Sequence, residues 1–243
     1  MTRRRWIADK WDESSAKLTG AQAAHLGRVL RAQIGMQFDI VVGDRVRCGS
    51  IVEISDLIIE FALGEEIDAD PALPITLLLA VSKFDRLEWA IEKATELGVE
   101  RIIPVLARRT EKHFVQAAAT RVERWRRISR EAAQQSRRSD TVEILDPMQV
   151  KDAVHDEPEA LRLLLAESEL TTTLREALDS SKTNSASDLR RFRLAIGPEG
   201  GWTPDEETLF ATEGWRPVSL GPRILRAETA AIAAVSIVAA WLE

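Results

Sequence analysis

At 243 residues, with 45% hydrophobic and 30% charged side chains, the chain suits one large or two modest domains and is neither disordered nor fibrous in makeup. No apolar run approaches the ~20 residues of a membrane span; the single Cys48 excludes an internal disulfide or a cysteine-rich zinc site, and three scattered histidines (His25, His113, His155) give no reason to expect a metal. The net charge of −6 argues against a nucleic-acid partner until its distribution is read.

The N-terminus is basic through Arg3, Arg4 and Arg5, but acids and Lys10 follow instead of an apolar stretch. No signal peptide is expected, and the cytoplasm is the expected compartment. Residues 1–47 carry nine basic residues against five acids, a local excess of +4. Residues 20–31 read as a short helix with His25, Leu26, Val29 and Leu30. Three Val- and Ile-rich runs follow, at 37–42, 46–54 and 57–63, divided by the turn signals Gly43-Asp44 and Ser55-Asp56. Short strands with one helix predict a small barrel. Residues 51–70 hold seven acids and no Lys or Arg, and 65–74, acidic with two prolines, read as a linker.

The pattern then changes. Residues 75–81 are a continuous apolar run, as in a strand buried on both faces. Leu87, Ile91 and Ala94 recur at helical spacing, with Gly98 where a C-cap belongs. Strands are predicted at 101–106, 161–166 and 193–196, a basic helix at 117–135, and a Ser-rich loop at 180–188. Alternating strands and helices predict an α/β domain with a parallel sheet. Residues 101–140 carry eleven basic residues against four acids, a local +7. Such a patch, not the total charge, decides whether phosphates dock; a solvated helix face is the plainer reading.

Two segments carry chemistry. In the first, strand 194–196 enters Gly197-Pro198-Glu199-Gly200-Gly201-Trp202, and a helix follows. Thr203 is its N-cap, Pro204 sits at N1, and Glu206 completes a capping box. Glycines here let backbone approach a ligand, or simply make a tight turn. The loop is neither GxxxxGK[ST] nor GxGxxG, so neither of those nucleotide sites is supported. In the second, a short strand at 218–220 enters Gly221-Pro222-Arg223-Ile224-Leu225-Arg226-Ala227-Glu228. Arg226 falls near the start of the last helix, where the dipole disfavours a cation. Pairing with Glu199 or Glu228 is one explanation and a role in a site is the other. The last helix, rich in alanine, is built for close packing in a core or against a second copy.

These two stretches together resemble the signatures of the RsmE-type methyltransferases of the SPOUT superfamily. The stretches 25–31, 85–99 and 131–138 are similar to further family motifs, so the likeness spans about residues 20–240. Where the family tends to place a second Arg and a Pro, this chain has Asp140 and Val142. The resemblance implies a PUA-like RNA-binding β-barrel at 1–72. It also implies, at 73–243, an α/β SPOUT domain whose parallel sheet ends in a trefoil knot. It implies S-adenosylmethionine-dependent methylation of N3 of a uridine in 16S ribosomal RNA, within the small subunit, by a homodimer. By the same resemblance, the cofactor would meet Ala166, Glu167, Ile196, Gly197, Glu199, Gly200, Gly201, Leu220, Gly221, Ile224 and Leu225. RNA would meet His25, Arg28, Arg31, Arg109, Gln135, Arg137 and Arg138. Uridine N3 is a poor nucleophile until its proton leaves, so a base or an anion stabiliser is needed. Arg226 is the candidate stabiliser, and Glu228 is either a base or a capping residue. No metal is required. Two rivals stand beside this reading: a SPOUT methyltransferase with another RNA target, and a non-catalytic RNA-binding protein.

Overall fold

The structure, a computed structural model, describes residues 5–43, 45–155, 159–181 and 191–243. Most of the expected Ser-rich loop, Asp44 of the first turn, and the arginines at 3 and 4 lie outside them. The chain forms two compact units. One comprises the residues up to Ala72 together with Ala133–Thr141; the other comprises Leu73–Ala132 and Val142–Glu243.

The first unit is a six-stranded mixed sheet. Its strands are β1 (Arg5–Ile7), β2 (Lys10–Trp11), β3 (Ser15–Thr19), β4 (Gln37–Val42), β5 (Arg45–Ile54) and β6 (Ile58–Ile67), in the order β1-β4-β5-β6-β3-β2. Along β3 the side chains alternate, with Ala16 and Leu18 buried, as a strand with one inward face requires. Inward residues Leu18, Leu26, Ile40, Ile51, Ile59 and Phe61 form its core. One bend joins the two edges of the sheet. Ala8 N donates to Val41 O of β4 (3.0 Å), and Asp9 N donates to Lys17 O of β3 (2.9 Å). That continuity gives the sheet its barrel character.

Two expectations for this unit change. The helix is α1 (Gly20–Ala24) followed by a π-helical turn, His25–Val29, in which Leu30 N donates to His25 O. The acidic stretch is not all linker. β6 runs through Glu65 and Glu66 because β5 sets Arg47 opposite Glu66 and Val46 opposite Ile67. Only residues 68–72 connect β6 to the next strand.

The second unit begins with β7 (Leu73–Ala80), α2 (Phe84–Glu96), β8 (Val99–Leu106) and α3 (Lys112–Gln135), whose last residues belong to the first unit. Then come β9 (Glu143–Ile144), β10 (Met148–Gln149), α4 (Val150–Ala153), β11 (Leu161–Leu165), α5 (Leu174–Ser180), β12 (Phe192–Ile196), α6 (Pro204–Thr212), β13 (Arg216–Val218) and α7 (Ala227–Leu242). The sheet is parallel, in the order β10-β8-β7-β12-β11-β13, with β9 beside β8. β7 and β12 are buried on both faces, which explains their unbroken apolar runs. Ile75, Leu77, Leu87, Ile91, Leu194, Ala231, Val235 and Val238 share the larger core. Gly98, at φ +97°, ends α2 as expected.

The connection after β13 makes the topology unusual. β13 is the edge strand, yet α7 packs in the core with residues of β12 and β7. On its way back to that core the chain passes the connection that follows β11. It does so closely: Ser219 N donates to Thr172 O, and Leu174 N to Ser219 O (both 2.9 Å). This crossing is the trefoil arrangement of a SPOUT sheet. Among the described residues no helix is long and apolar enough to cross a membrane.

Candidate active site

β12, β11 and β13 are neighbours, and their ends are level: Leu165 lies beside both Ile196 and Val218. Three loops leave these carboxyl ends together, the usual ligand position in a parallel sheet. They line a cavity of about 810 Å³ with Arg86 of α2 and Arg109.

The first loop, 166–173, is shaped by Glu169. Its carboxylate accepts from the Thr171 hydroxyl (2.5 Å) and from the amides of Thr171 (2.6 Å) and Thr172 (2.9 Å). The Thr171 hydroxyl, with those amides, holds the Glu169 carboxyl below its ordinary range. Leu170 at the loop's tip is 85% exposed.

In the second loop, Gly201 adopts φ +70° so that its amide can donate back to Pro198 O (2.8 Å). A Cβ on Gly197 would lie 3.2 Å from the Trp202 indole, which is buried against Phe210. The Trp202 Nε1–H donates to Leu165 O (3.3 Å), tying this loop to the end of β11, where the first loop begins. The capping box is present: Glu206 accepts from the Thr203 amide and hydroxyl, and Thr203 from the Glu206 amide. Glu206 is buried and also accepts from Arg108 N (2.8 Å).

The third loop turns at Gly221, φ +107°, and ends at Arg226, the N-cap of α7. Arg226 is exposed on the cavity wall. Among the described residues its side chain has neither an ion pair nor a hydrogen bond, so the pairing weighed from sequence is not what holds it there. Arg86 takes both carboxylates instead. Its Nη1 is hydrogen-bonded to Glu199, and its Nε lies 3.8 Å from Glu228 Oε1.

The structure brings all eleven residues expected at the cofactor onto this one cavity, together with Arg226. Their exposures differ. Ile196 is almost fully buried, whereas Ile224 is 81% exposed. Glu228 is not on the wall; its side chain is 7% exposed and turns toward Arg86. Arg109 is engaged as a prop, its Nη1 donating to Gly200 O (2.5 Å) and Trp202 O (3.0 Å). Sequence reasoning missed Arg86, although an Arg in the first turn of a helix is the same signal that singled out Arg226.

The remaining residues expected at RNA lie in the first unit. His25, Arg28, Arg31, Gln135 and Arg137 are exposed. α1 and the end of α3 are joined there, Gln134 donating to Gln22 (2.8 Å). Arg138 is different: it is buried, and its guanidinium forks onto Asp140 (3.1 and 2.5 Å). Asp140, which stands where the sequence departs from the family pattern, is thus a partner of the buried Arg138.

The crossed parallel sheet and its three-loop cavity are those of an RNA methyltransferase domain, and residues 69–239 match the family model of that description. A ribosomal RNA small subunit methyltransferase E from Synechocystis is 34% identical over 237 residues, covering 95% of this chain and 75% of the relative. One from Bacillus subtilis is 30% identical over 230 residues, covering 91% and 88%. The chain belongs to the ribosomal RNA small subunit methyltransferase E family. Among solved structures, a Legionella pneumophila methyltransferase in complex with the cofactor SAM superposes with a TM-score of 0.83 at 28% identity, over 99% of this chain and 98% of that one. A Neisseria gonorrhoeae ribosomal RNA small subunit methyltransferase E bound to S-adenosyl methionine gives 0.82 at 28%, over 96% and 95%.

Proposed function

We propose that this chain methylates N3 of one uridine in 16S ribosomal RNA of the small subunit, in the cytoplasm, with S-adenosylmethionine as donor. Family membership supports the reaction class, and the cavity supports the cofactor. A volume of about 810 Å³ falls within the ~300–1,000 Å³ of small-molecule sites. Its wall combines glycine backbone with Leu220 and Leu225, suited to a ligand held by main-chain groups and apolar contact. When bound, the cofactor supplies a methyl group on a cationic sulfur, open to in-line displacement.

The observation that carries the reading is Arg226, a cation on the wall at the start of α7 with no partner among the described residues. Its guanidinium favours the uridine imide as an anion while N3 gives up its proton to solvent water. Of the two readings of Glu228, base or first-turn anion, its burial beside Arg86 favours the second. His25, Arg28, Arg31, Gln135 and Arg137 hold the RNA. The outer face of α7 supports a homodimer. The helix is apolar nearly all round, yet Ile232, Ala233 and Ile237 are only half-buried in the single chain, and a second copy would cover them.

The test is incubation of protein, cofactor and unmethylated small subunits, followed by nucleoside mass spectrometry. N3-methyluridine at one 16S position is the expected product. Methylation of another RNA instead overturns the target. Absence of both methylation and cofactor binding leaves an RNA-binding protein.

A further inference from the structure

The three loops of the cavity are not joined alike. The first and third are joined through backbone at Ser219, and the second is tied through the Trp202 indole to the end of β11, where the first begins. A polar link from the second loop to the first turn of α7, directly after the third loop, runs through the side chain of Arg86, which stands on neither loop. It rises from the first turn of α2 and reaches Glu199, between the glycines of the second loop, and Glu228, in the first turn of α7.

The burial of this trio is graded. The side chain of Glu228 is 7% exposed, that of Arg86 26% and that of Glu199 42%. A carboxylate as buried as Glu228 is costly unless its charge is met. The N-terminus of α7 meets part of it, and Arg86 is the cation beside it. Glu228 lies two residues beyond Arg226, so the placement of Glu228 sets how α7 begins and where its N-cap presents a guanidinium. Arg86 therefore fixes two things at once: the Glu199 loop against the cofactor cavity, and the turn from which Arg226 projects.

We propose that Arg86 is a positioning residue for methyl transfer, coupling the cofactor loop to the Arg226 turn through Glu199 and Glu228. The proposal rests on the cofactor and reaction assigned above. Arg suits the task because its planar fork spans two carboxylates in fixed directions; a lysine ammonium is a single point charge.

The experiment is a double-mutant cycle on the full chain. Arg86→Gln, Glu199→Gln, Glu228→Gln and the pairs Arg86→Gln/Glu199→Gln and Arg86→Gln/Glu228→Gln are measured beside Arg86→Lys. Circular dichroism first establishes that each is folded. Calorimetry then gives the affinity for S-adenosylmethionine, and single-turnover transfer to small subunits at saturating cofactor gives the rate. Arg86→Gln is expected to weaken cofactor binding about tenfold and to slow transfer by on the order of tenfold more, and each pair should be little worse than its poorer single variant, because residues that share one network are not additive. Arg86→Lys should recover part of both.

A purely structural role predicts a lower melting temperature with affinity and rate within about twofold of the unsubstituted chain. That result, or additive effects in both pairs, overturns the proposal. If the unsubstituted chain binds cofactor but transfers no methyl group, the assigned reaction fails, and the affinity cycle with Glu199 still decides the role of Arg86. If an unfolded Arg86→Gln prevents the comparison, Glu199→Gln and Glu228→Gln decide it: the inference requires Glu199→Gln to slow transfer at saturating cofactor, and an unchanged rate rejects it.

Discussion

Three arginines that look alike in sequence have three fates in the structure. Arg226 has no partner among the described residues and stands on the cavity wall, Arg86 is held between two carboxylates, and Arg138 is buried on Asp140. Only the anomaly at the helix N-terminus is legible in the sequence, and it identifies the position without saying which carboxylate lies near in space. Arg226→Ala should keep fold and cofactor affinity but slow single-turnover transfer by about 10²–10³, the effect of losing one preorganised charge. Arg226→Lys should restore only part. A rate within about twofold of the unsubstituted chain would return Arg226 to a structural role. The glycines teach a related point. In sequence, Gly201 reads as a place where backbone must approach a ligand; the structure adds that its φ of +70° demands glycine in its own right. An L-residue in that conformation costs roughly 1–2 kcal/mol, and the turn onto Pro198 is what yields. Gly201→Val should therefore weaken S-adenosylmethionine binding by at least about tenfold in calorimetry, and Gly201→Ala by less.

Elements are legible where their ends carry local signals. Thr203, Pro204 and Glu206 announce α6 because a capping box is made by residues three apart. Boundaries set by a partner strand are not: the acids at 65–66 look like linker until Arg47 is found opposite them. The π turn at His25–Val29 is equally hidden, since an i to i+5 bond leaves no spacing signature a short helix lacks. The α6 cap has measurable strength. Thr203→Ala should cost about 1 kcal/mol. Glu206→Ala should cost more, about 2–3 kcal/mol, because the amides of Arg108 and Thr203 would both be left without a buried acceptor. Thermal melts that rank the two in the opposite order would deny Glu206 its bond to Arg108. The first loop offers a pH test. The folded carboxyl of Glu169 titrates below its unfolded value, so its contribution is present above the unfolded value and is lost as pH falls through the folded one. The loop should hold its shape at neutral pH and loosen only in acid, below the ordinary glutamate range. Carboxyl NMR titration of Glu169 checks the direction, and a midpoint at or above that of a free glutamate would contradict it.

Over the whole molecule, what escapes the sequence is whatever the chain does across long separations. Hydrophobic period gives strands and helices, but not that α7 returns past the loop after β11, since crossing order leaves no mark on local pattern. Nor does it show that residues 133–141 join the first unit, because α3 continues unbroken through the boundary. That excursion changes the expectation for RNA binding. Gln135 and Arg137 become part of the same unit as His25, Arg28 and Arg31, whereas Arg138 is withdrawn from solvent. Arg28 meets Asp56 at 3.2 Å, but both are well exposed, and a surface pair of this kind is too weak to withhold an arginine from phosphate. Every phosphate that an arginine no longer neutralises should flatten the dependence of log affinity on log salt by about 0.7–0.9. Arg28→Ala/Arg31→Ala should then flatten the slope for small-subunit RNA by roughly 1.5, and Arg137→Ala by less than about 1. Arg138→Ala should leave the slope alone and lower the melting temperature instead, because it strands Asp140 without its partner. Filter binding across a salt series on the four chains separates these outcomes. If Arg138→Ala flattens the slope while Arg28→Ala/Arg31→Ala does not, the RNA meets a surface other than the one formed by the π turn and the end of α3.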